Sequence, residues 1–363
     1  MKRHFASLAA VIALATLVLG GCAPQAAQPA PTQAPAKAAE PTKAPAAAAT
    51  AEPTKAPAPA KKVDFPEKGK SISLIIGYPA GGGADIAARV LQPILEKELG
   101  VPVQVVNRAG AGSQVAIASV ATAKPDGYTI GYANWPTMIT IYLDPERKAT
   151  FGRKDLQPLA LHVSDPMAIA VKADSPIKGI KDLLDEAKAK PGAIKVGTSG
   201  ILSHEDLSFR QMEKETGAKL NIIAFDGAAP AVTALLGNHI DAVGLGFSSM
   251  LSSAKGGQTR IIATLGAGGD QFLPGTKSME DQGYKGYFSL GRGWFLPAGT
   301  PKEIIDVLDS AFKKSMESEE HKKKILEVGQ VTTYKGPEEF GKWWDSMEAT
   351  VKPLMELAKQ QQK

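Results

Sequence analysis

The sequence contains a single cysteine, Cys22, among 363 residues. With no second cysteine the chain forms no internal disulfide, and its body has no thiol nucleophile. Long apolar runs are missing as well. The run over residues 5–19 has 15 residues, which is short of the roughly 20 that a membrane-spanning helix needs.

An excess of basic residues is missing from the body of the chain, although the whole sequence carries a net charge of +5. Residues 1–62 hold seven basic and two acidic side chains, so residues 63–363 hold 35 of each. A protein that binds nucleic acid needs a surplus of Lys and Arg to neutralise phosphates. We therefore expect no nucleic-acid partner.

Enzyme motifs are also missing. The glycine cluster at 81–83 fits neither the P-loop nor the dinucleotide fingerprint, and residues 197–200 (GTSG) lack the spacing of a nucleophile elbow. The five histidines show no metal-ligand spacing. We expect no catalytic residue, metal or cofactor. His204, Glu205 and Asp206 would suit acid–base chemistry, but a helix capped by Ser203 with an acidic first turn explains them equally well.

The N-terminus has the features of an export signal. Lys2 and Arg3 precede the apolar run, which ends in residues 19–22 (LGGC). This ending resembles the lipobox of bacterial lipoproteins, so we expect a signal peptide over 1–21 and lipidation at Cys22. The alternative is an ordinary signal peptide with an incidental cysteine. Either way the protein is exported, and the anchor predicts attachment at the outer face of the cytoplasmic membrane or in the periplasm.

A segment rich in Ala, Pro and Lys follows the cysteine. Its heptamer AEPTKAP occurs at 39–45 and again at 51–57. Such a composition has too few apolar side chains to offset the entropy of ordering. We expect residues 22–62 to form a lipid-anchored, disordered linker that reaches on the order of 100 Å when extended.

The body alternates short apolar runs with helical periodicity. Alternation of this kind favours the doubly wound α/β class, with helices on both faces of parallel sheets. The pattern predicts strands at 71–78, 103–106, 128–132, 194–197, 220–224, 242–244 and 260–265. It predicts helices at 84–99, 114–123, 180–190, 203–216 and 229–236.

The last third of the chain is predicted to be helical. Residues 300–303 (TPKE) have the form of a capping box with Pro301 at the first helical position. Ser318 and Pro337 are expected to open two further helices, and Pro353 to kink the last one.

Three glycine-rich turns follow predicted strands, at 78–85 (YPAGGGAD), 197–204 (GTSGILSH) and 225–230 (FDGAAP). Ligands of open α/β sheets bind where such turns lead into helix N-termini. All three turns have backbone amides to offer an anion and contain no Lys or Arg. Glycine-rich turns are also common at such junctions for steric reasons alone.

Several segments, in order along the chain, resemble the substrate-binding proteins of tripartite tricarboxylate transporters, the TctC or Bug family. They are 65–68 (FPEK), 73–85 (SLIIGYPAGGGAD), 106–112 (VNRAGAG), 124–129 (KPDGYT), 225–231 (FDGAAPA), 240–242 (IDA) and 295–301 (FLPAGTP). Each piece alone is weak, but the ordered set is specific and spans most of the body.

The resemblance implies a two-lobe, periplasmic-binding-protein-like (type II) fold with doubly wound sheets and a ligand cleft between the lobes. It divides the chain into lobe 1 (63–163 plus 284–363) and lobe 2 (164–283). It also implies a monomeric receptor for a small organic carboxylate, such as a di- or tricarboxylate, an amino acid or an aromatic acid. Backbone amides and bridging waters would hold the ligand, and an integral-membrane permease would receive it.

Carried over by position, the resemblance gives a set of candidate ligand-binding residues. They are Tyr78, Ala80, Gly81, Gly82, Gly83, Asp85, Asn134, Trp135, Thr198, Ser199, His204, Gly227, Ala228 and Ala229.

Two residues depart from the family pattern. Trp135 is large for its loop, and it either stacks on a flat ligand or packs between the lobes. Arg292 stands where a small or apolar residue is commoner. It either pairs with a second ligand carboxylate or, as we expect, is solvated.

Two other functions are compatible with the sequence. A sensor or scaffold lipoprotein that binds solute without serving a transporter would have the same residues. An enzyme acting on a carboxylate is less consistent, because the turns contain no nucleophile–base pair.

Overall fold

The structure is a computed structural model that describes residues 64–266, 268–285 and 290–361. The predicted signal peptide, the lipidation site Cys22 and the predicted linker lie outside the described residues.

The strands of the described chain alternate with helices through the first two thirds, as predicted. The strands are β1 (Ile72–Ile76), β2 (Val103–Asn107), β3 (Thr129–Trp135), β4 (Leu156–Asp165), β5 (Met167–Lys172), β6 (Lys195–Thr198), β7 (Asn221–Ala224), β8 (Ala242–Gly246), β9 (Thr259–Thr264), β10 (Leu290–Pro297) and β11 (Val331–Lys335). All seven strands predicted from the sequence are present, whereas β4, β5, β10 and β11 were not predicted.

The helices include all five predicted in the body. The α-helices of the described residues are α1 (Gly83–Leu99), α2 (Gln114–Ala121), α3 (Thr137–Leu143), α4 (Ile180–Ala189), α5 (His204–Thr216), α6 (Ala228–Leu236), α7 (Phe247–Lys255), α8 (Lys302–Glu317), α9 (Glu319–Glu327) and α10 (Pro337–Gln361).

The strands form two sheets. The first has six strands in the order β11-β4-β10-β3-β1-β2, and the second has five in the order β7-β6-β8-β5-β9. In the first sheet β1 is parallel to β2 and β3, but β10 runs antiparallel to both β3 and β4. In the second, β6 is parallel to β7 and β8, but β5 runs antiparallel to β8 and β9. The predicted parallel sheets are therefore mixed, because the first strand after each lobe crossing, β5 or β10, runs antiparallel to both of its neighbours.

Helices cover both faces of each sheet, which confirms the doubly wound α/β class. Along β1, Leu74 and Ile76 pack into one apolar cluster with α1 and α8, while Ile75 packs into another with α2 and α10. This alternation is the two-residue period of a strand that is buried on both sides. The second sheet is likewise covered by α4 and α5 on one face and by α6 and α7 on the other.

The chain passes from the first sheet to the second at Pro166, between Asp165 in β4 and Met167 in β5. It returns between β9 and β10. We call the first sheet with α1–α3 and α8–α10 the first lobe, and the second sheet with α4–α7 the second lobe. The residue boundaries at 164 and 284 stay a prediction.

The helix starts in the last third follow the sequence in part. Ser318 caps α9 by accepting a hydrogen bond from the amide of His321 at 3.2 Å, and α10 begins at Pro337. Pro353 lies inside α10, and the kink there stays a prediction. The capping box at 300–303 was wrong. Pro301 is extended (ψ 139°) and precedes α8, and the Thr300 hydroxyl donates to the Pro297 carbonyl at 2.8 Å.

Candidate functional site

A small cavity lies between the two lobes. Its volume, counted as the space open to the centre of a water molecule, is about 20 Å³. This is enough for about one water. Its lining comes from both lobes and consists of Tyr78, Gly82, Gly83, Ala84, Asn134, Ser199, Glu205, Ala228, Gly246, Ser249 and Arg292.

Four helix N-termini supply most of this lining. The turn after β1 leads into α1, the turn after β6 into α5, and α6 begins with Ala228 itself. Gly246 ends β8 and is the residue before α7. The first amides of a helix have no intrahelical partner and carry a partial positive charge, so converging N-termini favour an anion.

Glycines allow the lobes to approach each other here. A Cβ atom on Gly83 would lie 2.3 Å from the Ser248 hydroxyl and 2.6 Å from Nη2 of Arg292. One on Gly227, whose φ is +108°, would lie 2.8 Å from Pro79 of the first lobe. Side chains at these positions would hold the lobes apart.

Arg292 is buried rather than solvated, which corrects the sequence-based expectation. Its side chain is 2% exposed, and Nη1 lies 2.5 Å from Oδ2 of Asp165, a residue that is fully buried. Nε donates to Oδ1 of Asn134 at 3.1 Å. β10 lies between β3 and β4, so this register brings the guanidinium of Arg292 to both neighbours at once.

Asp165 ties this pair to the second lobe. Its Oδ2 accepts from the Ser248 hydroxyl at 2.5 Å and its Oδ1 from the Ser248 amide at 3.2 Å. The second nitrogen of Arg292, Nη2, donates to no protein acceptor within the described residues. The cavity therefore contains a guanidinium with one donor group still to offer, a basic side chain that the resemblance did not imply.

A carboxylate lines the same cavity. Glu205, the second residue of α5, is 2% exposed, and its Oε2 accepts from the Ser199 hydroxyl at 2.8 Å. Ser203 caps this helix by accepting from the amide of Asp206 at 3.2 Å. The capping interpretation of this acidic turn is confirmed.

Several amides of the glycine-rich turns already have partners in the chain. The Gly81 amide donates to Asp85 at 2.9 Å, and the Gly83 amide donates across the cleft to Ser249 at 3.1 Å. The Gly227 amide donates to the carbonyl of Ser199 at 3.0 Å. Fewer backbone donors therefore face the cavity than the sequence suggested.

Direct contacts hold the lobes together around the cavity. Besides Gly83 to Ser249, the Thr140 hydroxyl donates to the Leu202 carbonyl at 2.9 Å. The Gly112 amide donates to Asp226 at 3.0 Å. Arg147 of the first lobe donates to the carbonyls of Ala111 and Ile201, the latter in the second lobe.

Trp135 does not line the cavity. It is fully buried at the end of β3, where its ring packs edge-on against Phe340 and Trp344 at centroid distances of 5.0 and 4.8 Å. Phe295 and Trp343 complete the cluster. These four rings belong to the first lobe, but the apolar cluster that contains Trp135 also includes Leu202 and Leu207 of the second lobe. Trp135 is therefore a packing residue in a cluster shared by the two lobes and does not stack on a ligand in the cavity.

The other candidate residues divide between the cavity and its surroundings. Tyr78, Gly82, Gly83, Asn134, Ser199 and Ala228 line the cavity. The following lie outside its lining: Ala80, Gly81, Asp85, Trp135, Thr198, His204, Gly227 and Ala229. Asp85 instead organises the first turn, where it pairs with Arg89 at 2.9 Å and accepts from Asn107 at 3.0 Å.

Five lining residues were not among the candidates: Ala84, Glu205, Gly246, Ser249 and Arg292. Glu205 and Arg292 could have been identified from the sequence, because each is a charged residue beside a glycine-rich or capped turn. Gly246 and Ser249 could not be identified in this way, because α7, which follows Gly246 and contains Ser249, was not predicted.

Two observations bear on other classes of site. In residues 64–266, 268–285 and 290–361 no three His, Cys, Asp or Glu side chains are arranged to hold a metal ion. None of the helices in that part of the chain combines the length and the apolar character needed to cross a membrane.

The fold matches solved binding proteins. The structure of the periplasmic binding protein BugD superposes with a TM-score of 0.73 at 25% identity, covering 80% of this chain and 97% of that one. Rpa4515 of R. palustris, solved with adipate, gives 0.76 at 21% identity, covering 82% and 99%. Two α/β lobes around an interlobe cavity thus define a periplasmic solute-binding protein.

The family follows from the sequence comparison. The model of the tripartite tricarboxylate transporter family receptor, TctC, matches residues 87–354, and the chain belongs to this family. The protein BugT of Bordetella pertussis is 28% identical over 254 residues, which are 69% of this chain and 77% of that protein. The resemblance stated from the ordered segments is confirmed.

Proposed function

We propose that this protein captures a small organic carboxylate outside the cytoplasmic membrane and delivers it to an integral-membrane permease of the tripartite tricarboxylate type. It acts as an exported monomer, anchored through Cys22, and carries out no chemistry on its ligand. The observation that supports this most strongly is the interlobe cavity, where four helix N-termini meet the free Nη2 group of Arg292.

The carboxylate would be held by charge-assisted donors. Nη2 of Arg292 supplies one, and the N-termini of α1 and α6 supply partial positive charge. Each helix terminus contributes roughly 0.3–1 kcal/mol in exposed settings, and micromolar binding requires about −8 kcal/mol. Burial by lobe closure is therefore needed, because hydrogen bonds strengthen where water is excluded.

Binding and release would require the lobes to separate. A carboxylic acid of several heavy atoms needs more room than the 20 Å³ between the lobes in this conformation. Pro166 lies where the chain passes from the first sheet to the second, so we propose that the lobes pivot there. The closed lobes would present the surface that the permease recognises.

The site can be tested with two neighbouring glycines. The Gly83→Ala side chain would collide with Ser248 across the cleft and with Arg292 of its own lobe, whereas a Cβ on Gly82 meets only the Pro79 carbonyl, at 3.6 Å. Titration calorimetry against a panel of mono-, di- and tricarboxylic acids that includes adipate should show binding by the wild type. Gly83→Ala should weaken the Kd by at least about tenfold, and Gly82→Ala by much less.

Equal Kd values for Gly83→Ala and the wild type would contradict the assignment of this cavity. Delivery is tested separately by adding the loaded protein to the reconstituted permease. Binding without stimulation of uptake would indicate that the protein is a solute sensor or scaffold. Conversion of the bound acid, detected by mass spectrometry, would indicate an enzyme.

A further inference from the structure

Glu205 occupies an unusual electrostatic position in the cavity. It is buried at 2% exposure, and one of its oxygens accepts from Ser199 at 2.8 Å. Within the described chain no Lys, Arg or His forms an ion pair with it. A buried carboxylate without a cationic partner is costly. The N-terminus of α5 offsets part of this cost.

The nearby cation does not neutralise Glu205. Arg292 is already paired with Asp165 at 2.5 Å, so these two charges cancel. Glu205 is therefore the uncompensated charge of the lining. A ligand with only carboxylates would bring a second negative group into a cavity of this size, where like charges repel strongly.

Tyr78 belongs to the same lining and carries a buried hydroxyl. Its hydroxyl and the neighbouring hydroxyl of Ser113 are buried, and neither has a partner in hydrogen-bond geometry in the part of the chain that the structure describes. Burial and the negative charge of Glu205 raise the pKa of Tyr78 despite the opposing effect of Ser113, so the phenol stays protonated at neutral pH. An unused phenol and the free Nη2 of Arg292 suit a ligand carboxylate, whereas Glu205 suits a ligand cation.

We propose that the ligand carries a protonated amine as well as a carboxylate, and that Glu205 accepts the amine while Arg292 and Tyr78 donate to the carboxylate. The ligand class is thus the amino acids. This inference rests on the proposed function and narrows it, because the same cavity would discriminate against the corresponding acids that lack nitrogen.

The test uses amino acids and their deaminated counterparts, with calorimetry on the wild-type protein and on Glu205→Gln. Suitable pairs are aspartate with succinate, glutamate with glutarate, leucine with 4-methylpentanoate and phenylalanine with 3-phenylpropionate. Glu205→Gln keeps an oxygen for Ser199 and removes the charge. Glu98→Gln, an exposed change of the same kind in α1, is the matched control.

The wild type and Glu98→Gln should bind at least one amino acid ten or more times more tightly than its counterpart. Glu205→Gln should lose that preference, so that the two Kd values approach each other. Equal binding of the paired compounds by the wild type, or a preference that survives in Glu205→Gln, would overturn the inference and leave the proposed function standing. If the wild type binds neither the compounds of these pairs nor any acid of the wider panel, the proposed function fails, and the inference with it.

Discussion

Two buried histidine residues form a hydrogen-bonded chain in the first lobe. The Tyr132 hydroxyl lies 2.8 Å from Nδ1 of His162, and the Nε2 atoms of His162 and His321 are 2.9 Å apart. Nδ1 of His321 lies 3.0 Å from the Met316 carbonyl. A carbonyl only accepts, so Nδ1 of His321 carries the proton, His162 donates through Nε2, and Tyr132 donates to His162. Both rings are neutral in this arrangement.

Acid should therefore destabilise the protein. Burial lowers the pKa of His321 from 6.5 to about 4, and burial with nearby His321 and Arg292 lowers the pKa of His162 well below 6.5. Between the unfolded and folded pKa values the unfolded chain binds more protons than the folded one, so stability falls as pH falls from about 6.5. The expected slope is at most about 1.4 kcal/mol per pH unit for each histidine.

Urea unfolding at pH 7, 6 and 5 measures the predicted loss of stability in acid. His321→Gln should flatten the loss of unfolding free energy over that range, and the exposed His239→Gln should not. An unchanged slope in His321→Gln would show that the histidine pair does not set the acid sensitivity.

Arg292 shows the limit of local information for a single residue. It stands between Gly291 and Gly293 in the sequence, a context that is typical of an exposed turn. Its state is set instead by Asp165 on the neighbouring strand β4, which pairs with it and buries it.

Among the elements, the start of α5 shows how a local signal also positions the site. Ser203 is fully buried and accepts from the amide of Asp206. Asp206 in turn accepts from the Leu202 amide at 2.8 Å and pairs with Arg210 at 3.0 Å. These bonds fix the first turn of the helix, from which Glu205 enters the cavity.

Removal of this cap should cost stability and affinity together. Ser203→Ala is expected to lower the unfolding free energy by about 1 kcal/mol, the usual cost of losing an N-cap, and to weaken ligand binding. Ser346→Ala, an exposed serine inside α10, should change neither by more than about 0.5 kcal/mol. Denaturant unfolding and calorimetry on the two variants measure both effects. A stability loss in Ser346→Ala equal to that in Ser203→Ala would show that capping is not the cause.

The strand β10 shows why some elements were not predicted. It contains Gly291 and Gly293, which are typical of a loop, yet added Cβ atoms would lie 2.7 Å from Trp343 and 2.5 Å from Phe340. The glycines are there because the aromatic rings of α10 lie against the strand. Local propensity cannot reveal a contact with a helix that follows much later in the chain.

Across the whole molecule, Arg147 bridges the lobes. It donates to Ala111 at 3.1 Å within the first lobe and to the Ile201 carbonyl of the second. A hydrogen bond from a charged donor is worth about 1.5–3 kcal/mol when buried and less when partly exposed. Arg147 therefore favours the closed arrangement.

Small-angle scattering on the ligand-free protein can measure this contribution. Arg147→Ala should shift the population toward open lobes and increase the radius of gyration. Arg108→Ala, an exposed arginine of the same lobe, should leave it unchanged. A radius of gyration that is the same in both variants and the wild type would show that Arg147 does not hold the lobes.

Local patterning in the chain is enough to define the apolar runs of β1 and β6, the Ser203 cap and the glycine-rich turns, because each acts over a few residues. The ordered family segments added the two-lobe architecture. Three outcomes could be known only from the folded chain: Arg292 is buried by Asp165, Trp135 packs into the core against α10, and Glu205 has no ion-pair partner among the described residues. These outcomes depend on strand order and on contacts between residues far apart in the sequence. There, burial and electrostatic pairing, rather than local propensity, fix the state of each side chain.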